Sequence, residues 1–203
     1  MSASSARGSL LESSLGASVG TLDASLAPTV RVAAVALAVA LTATAAQFTV
    51  VLPFTAVPFT LTPLVVILSG AVLGSRLGAA AQMAYLAAGI AGLQVFAPSL
   101  ILPPGAGRLL GPTGGYLLAY PMAAFVSGYL AERGWDRSFL RASVALVAGL
   151  AVIYLGGFAW MTRFAPSIGA AFAQGIAPFI VADLVKVAIA AMALPRAARY
   201  SRS

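Results

Sequence analysis

The stretch PFIVADLVKVAIAAMAL, residues 178–194, carries two charges, Asp183 and Lys186, in an otherwise apolar run. It closes a longer apolar segment from about Ala170 to Leu194. Charged groups in hydrocarbon cost roughly 2.5–3.5 kcal/mol each on insertion scales and usually mark a pathway or a ligand site. The i, i+3 spacing sets both on one helix face. A plainer reading is a salt bridge that only fixes helix packing, with Lys186 reaching toward the interface.

The whole chain has the same character. Of 203 residues, 61% are apolar and 8% are charged, against about 25% charged in an average globular protein. Too few polar residues exist to cover a water-exposed surface, and the chain is far too apolar for disorder. The lipid bilayer is the remaining solvent.

Six apolar segments follow from this reading: Val32 to about Leu52, near Pro58 to Gly74, Arg76 to about Val95, Thr113–Ala131, Ser143–Met161, and about Ala170 to Leu194. Most approach the roughly 20 residues that about 30 Å of hydrocarbon demands. The second is shorter, and Pro53, Pro58 and Pro63 crowd its start, so a short or bent helix preceded by a tucked-in loop is expected. The expected fold is all-α, a bundle of six transmembrane helices. Residues 1–29 read as a flexible tail, 30–196 as the transmembrane domain and 197–203 as a short basic cytoplasmic tail.

Arginines give the expected orientation. With the N-terminus cytoplasmic, the inside carries Arg7, Arg31, Arg76, Arg133, Arg137, Arg141, Arg196, Arg199 and Arg202, and the outside only Arg108 and Arg163. Six spans return the C-terminus to the cytoplasm. The net charge of +7 is thereby explained by topology, without nucleic acid. The outer loops, Pro53–Thr62, Ala97–Pro112 and Arg163–Gly169, are rich in Pro and Gly, and such loops often carry function.

The composition also excludes chemistries. With no Cys and no His, there is no disulfide framework, thiolate nucleophile, Ser-His-Asp triad or zincin site. Lys186 is the only lysine, and no G-x-x-x-x-G-K-[ST] loop surrounds it, so this chain has no Walker A site for ATP. Five acidic residues, four outside the segments, leave no paired carboxylates for general acid/base or metal work. No catalytic residue, metal or cofactor is expected.

Other polar features have two readings each. Gly111-Pro112-Thr113-Gly114-Gly115-Tyr116 opens the fourth segment. Thr113 is placed to cap the helix, and the glycines let a ligand or a helix approach closely. Arg108 stands four residues before Pro112, ready for an anion or for the interface. Gln47, Gln82 and Tyr85 either line a polar cavity or make interhelical hydrogen bonds. Trp135 and Trp160 fit interfacial anchors. Phe54, Phe59 and Phe96 are placed to wall an external pocket or to form a belt. Ala34-x-x-x-Ala38 and Ala36-x-x-x-Ala40 give the first segment a smooth face for another helix.

Three of these stretches together resemble the BioY family, the substrate-binding S components of energy-coupling factor (ECF) biotin transporters. They are LGPTGGYL at 110–117, YLAAGIAGLQVF at 85–96, and Pro178-Phe179 followed by Asp183 and Lys186. Gln94 stands where the family usually has proline, and Ala119 where glycine is common. The resemblance implies a multi-pass bacterial cell-membrane protein that is not an enzyme, with biotin as ligand. It implies Asp183, Lys186, Tyr85, Arg108, Gly114, Gly115 and Tyr116 around the ligand, and a lid from about Pro53 to Thr60. A carboxylate such as Asp183 can accept a ureido N–H, while Lys186 or Arg108 can meet the valerate carboxylate. It further implies docking, through an alanine face that includes Ala34 and Ala38, onto a transmembrane coupling subunit bearing ATP-binding cassette ATPases. Two other readings stand beside it: an S component for a different vitamin, and a proton-coupled carrier using Asp183.

Overall fold

The computed structural model describes residues 28–99, 102 and 104–200, the side chains of 196–200 excepted. The expectations for residues 1–27 and 201–203 lie outside the described residues. The elements run α1 (Pro28–Gln47), β1 (Thr49–Val50), β2 (Phe59–Thr60), α2 (Thr62–Leu73), α3 (Ser75–Ile90), α4 (Gly107–Leu110), α5 (Gly114–Leu130), a π-type turn (Ala131–Trp135), α6 (Phe139–Met161), α7 (Ile168–Gly175) and α8 (Ile180–Tyr200). Each expected apolar segment forms a helix, and several boundaries shift.

The first segment ends at Gln47, not Leu52. Thr49–Val50 instead pairs antiparallel with Phe59–Thr60, making a small hairpin. The second helix is short, as its prolines suggest: 12 residues, with Pro63 in its first turn, where a missing N–H costs nothing. Gly74, at φ 84°, folds α2 straight into α3, a turn that a Cβ would strain. The third segment ends at Ile90, and Gly92 turns the chain away at φ 96°. The sixth segment is broken: α7 and α8 meet at 44°. Gly175 ends α7 and Pro178 lies in the gap; a proline N cannot donate to the preceding turn. The backbone of α8 continues to Tyr200, into the stretch read as a tail.

Among the described residues, two helices, α1 and α6, are each long and apolar enough to cross a membrane; α7 with α8 makes a third if counted as one bent span. The side chains are arranged for an apolar solvent. Large hydrophobics such as Leu37, Met83, Leu118, Leu155 and Val181 are exposed, while Thr42, Ser69, Gln82, Ser127 and Asp183 are buried. A water-soluble core has the reverse distribution.

Helix α5 forms the centre and packs against α2, α3 and α6. Small residues bring the backbones together: a Cβ at Gly128 would collide with the backbone at Gly70, Gly74 and Ser75. At the same end, Glu132 accepts from the Ser75 N–H at 2.7 Å and from its hydroxyl, capping α3 from across the bundle.

On α1, Ala38 is buried and Ala34 half-buried, packed with Leu73, Leu77 and Ala81 of α2 and α3. The pair expected to dock therefore packs toward α2 and α3. The alanines exposed on α1 are Ala33, Ala36 and Ala40. Ala36 and Ala40 lie on the other side because a two-residue offset rotates a helix position by about 200°, and Ala33 shares their face at i, i+3 and i+7.

Candidate ligand-binding site

A cavity of about 460 Å³ opens between the hairpin, the α3–α5 connection and helices α5, α6 and α8. Its size is that of a small-molecule site. Its wall is largely apolar, with Val57, Pro58, Phe96, Leu117, Ile153 and Phe179 among the lining residues. The hairpin closes one side. Thr55 donates to the Gln174 carbonyl at 2.7 Å, and the Phe59 and Phe179 rings stack with centroids 6.2 Å apart.

Asp183 lines the cavity near the start of α8. Its Oδ1 accepts from Lys186 Nζ at 2.8 Å and its Oδ2 from the Tyr154 hydroxyl at 2.7 Å. Lys186 Nζ also donates to the Thr60 carbonyl at 2.9 Å and lies 3.9 Å from the centre of the Phe59 ring. The pair is thus neutral as a unit, and it ties α8 to α6 and to the hairpin. A buried ion pair is tolerated when its remaining hydrogen-bonding capacity is met in this way.

Arg108 sits elsewhere on the wall, on the short helix α4. It is 7% exposed, and its guanidinium donates to the Leu102 carbonyl at 3.3 Å. Among the described residues the ion pair is Lys186–Asp183, so Arg108 has no carboxylate within 4.0 Å. Burial pulls its guanidinium below the ordinary value, which starts so high that the group stays charged. An uncompensated buried cation in a small cavity favours an anionic ligand group.

Tyr85 and Tyr116 also line the cavity, as expected. Their hydroxyls donate to the wall: Tyr85 to the Val95 carbonyl at 3.0 Å, Tyr116 to that of Gly175 at 2.8 Å. Their rings remain as apolar surface. Phe59 and Phe96 line the cavity, while Phe54 is exposed and outside the lining.

Other expected contacts lie apart from the cavity. Lys186 touches it through Asp183 and is packed on the side of Pro63, Leu64 and Leu150. Gly114 and Gly115 are buried behind the wall. A Cβ on Gly114 would strike the Leu109 carbonyl, and one on Gly115 would strike Trp160 and the Gly156 carbonyl. They let α5 seat closely enough to present Tyr116. Thr113 lines the cavity but makes no capping bond, because its backbone is already helical. Gln47 and Gln82 take the plainer role. Gln47 bridges to the Gln94 and Phe96 carbonyls, and Gln82 joins Thr42 and Ser69. Trp160 donates to the Gly111 carbonyl at 2.9 Å.

Two lining tyrosines escaped the sequence reading: Tyr120 and Tyr154. Tyr120 follows Tyr116 by one turn, and that spacing was a usable sign. Tyr154 is one of two hydroxyls, with Ser143, in an apolar helix, which is a weak one.

The match to known proteins is consistent in sequence and shape. The model described as the BioY family matches residues 17–203. A protein of Pyrococcus horikoshii named "Probable biotin transporter BioY" is 42% identical over 131 residues, 64% of this chain and 74% of that one. A "Biotin transporter BioY" of Thermotoga maritima is 40% identical over 127 residues, 63% of this chain and 72% of that one. The solved S-component for biotin from an ECF-type ABC transporter superposes with TM-score 0.74 at 22% identity, covering 86% of this chain and 95% of that one. The chain belongs to the BioY family.

Proposed function

We propose that this chain is the biotin-capturing S component of an ATP-driven uptake system in the cell membrane. It is a transport protein and not an enzyme. The observation that carries the biotin reading is the division of polar groups in one apolar cavity: a neutral Asp183–Lys186–Tyr154 cluster and a separate, unpaired Arg108. Biotin has a matching division, with a neutral ureido ring, an apolar body and an anionic tail. The ureido N–H meets Asp183 and the carboxylate meets Arg108, since Lys186 is already engaged by Asp183 and Thr60.

Six helices cross the bilayer in this reading: α1, α2, α3, α5, α6 and the bent α7–α8. Both ends are cytoplasmic, supported by nine arginines inside against two outside. The cavity then opens outward under the hairpin. Energy comes from other chains, because no Walker A loop is present. A transmembrane coupling subunit bearing the ATPases docks on the exposed Ala33, Ala36 and Ala40 side of α1, where small residues permit close helix approach.

Titration calorimetry on the purified, folded chain tests the ligand. Biotin is expected to bind tightly, and Asp183→Asn to weaken it at least tenfold, about 1.4 kcal/mol. A well-folded protein that shows no heat with biotin would sink the reading. Uptake by the chain alone in ATP-free vesicles would refute the need for a coupling module.

A further inference from the structure

We infer that Tyr154 is a specificity-determining residue that reads the carbonyl of the ligand's ureido group and holds the place of its N–H until the ligand arrives. This rests on the biotin reading above. The Tyr154 hydroxyl lies 2.7 Å from Asp183 Oδ2 and donates to it, and both residues line the cavity. The hydroxyls of Tyr85 and Tyr116 are held by main-chain carbonyls. That of Tyr154 is held by the carboxylate that receives the ligand.

An N–C=O unit presents a donor and an acceptor side by side, about 2.3 Å apart from its bond lengths. The hydroxyl and Oδ2 present the complementary donor and acceptor at a similar spacing. Binding exchanges one hydrogen bond for two. The Tyr154 proton turns from Oδ2 to the ligand carbonyl, and the ligand N–H takes its place on Oδ2. Lys186 stays on Oδ1 throughout. No polar group of this cluster lacks a partner before or after, which matters because an orphaned one costs about 1–3 kcal/mol. A ligand with the same shape but a poor acceptor at the carbonyl position forces Tyr154 to choose between Asp183 and nothing.

The test is a cycle between protein and ligand. Wild type and Tyr154→Phe are titrated with biotin and with the analogue carrying sulfur in place of the ureido oxygen. Wild type is expected to bind biotin at least tenfold more tightly than the thio analogue. Tyr154→Phe is expected to lose at least tenfold on biotin and less than threefold on the analogue, so that its preference between the two nearly vanishes. Equal losses on both ligands would mean that Tyr154 only supports the wall, and would overturn the proposal. So would a coupling that appears in Tyr120→Phe instead. The melting temperature of ligand-free Tyr154→Phe confirms that the folded state is being titrated. Failure of wild type to bind biotin at all would be a failure of the function reading, and is scored separately by the first titration.

Discussion

Two polar clusters lie inside this apolar bundle, and they do different work. One joins α1, α2 and α3: Gln82 donates to the hydroxyls of Thr42 and Ser69, which in turn donate to the carbonyls of Ala38 and Val66. Its side chains are neutral and buried, and none lines the cavity. The other joins α6, α8 and the hairpin through Tyr154, Asp183, Lys186 and Thr60. It contains an ion pair, neutral as a unit, and it borders the cavity. Both satisfy hydrogen bonds that lipid cannot supply. The difference is that the second leaves a face toward space that a ligand can fill. A polar residue in a membrane segment is therefore not by itself a site. Its access to a cavity makes it one.

The largest expected effect comes from breaking the charged cluster. Asp183→Leu leaves Lys186 with no counter-charge and is expected to cost about 3–5 kcal/mol of stability, read as thermal unfolding in detergent. Adding Lys186→Met should recover most of that stability while biotin binding stays lost. Recovery of binding with stability would place the ligand's polar contacts elsewhere.

Arg108→Gln removes the cation without touching the cluster. Biotin affinity should fall by at least tenfold, about 1.4 kcal/mol, whereas the methyl ester of biotin should bind both proteins within threefold. An equal loss on acid and ester would remove Arg108 from the carboxylate.

Gly115→Ala bears on the contact between α5 and α6 behind the cavity. The added methyl meets Trp160 and the Gly156 carbonyl, and overpacking of this kind costs about 1–3 kcal/mol. The melting temperature should fall, with a weaker effect on affinity as Tyr116 is displaced. An unchanged melting temperature would show that α5 has room to move.

Gln82→Leu, in the closed cluster, is the smallest perturbation. Interhelical hydrogen bonds in membranes average about 0.6 kcal/mol, and the Gln82 Oε1 already lacks a partner. Stability should shift by less than about 1 kcal/mol and biotin affinity by less than twofold. A large affinity loss would erase the distinction between the clusters.

The scarcity of charge made Asp183 and Lys186 legible, because every other charged residue lies at a segment end, in a loop or in a tail. Hydropathy likewise located the helices, since each needs a long apolar run. What hydropathy cannot see is backbone order within an apolar stretch. The hairpin at Thr49–Thr60 and the break before Ile180 depend on prolines and glycines that also occur inside helices here, such as Pro121 in α5. The facing of α1 was illegible for a related reason. With alanine at 33, 34, 36, 38, 40, 43, 45 and 46, no side of the helix is marked, and only packing on Leu73 and Leu77 tells Ala38 from Ala40. Tyr154 was missed because its significance is a partner on another helix.

The 12-residue length of α2 bears on depth. Such a helix spans about 18 Å, some 12 Å less than typical hydrocarbon thickness. It shares the level of α3 at Gly74, so in the proposed orientation its outer end stops short of the external surface. In that orientation the hairpin and cavity would fill the shortfall, and ligand capture would take place within the outer leaflet rather than at the water boundary. Under the proposed function, affinity is then expected to respond to hydrophobic mismatch, since the acyl-chain length of the surrounding lipid would set how far the vitamin descends from water before it meets Asp183.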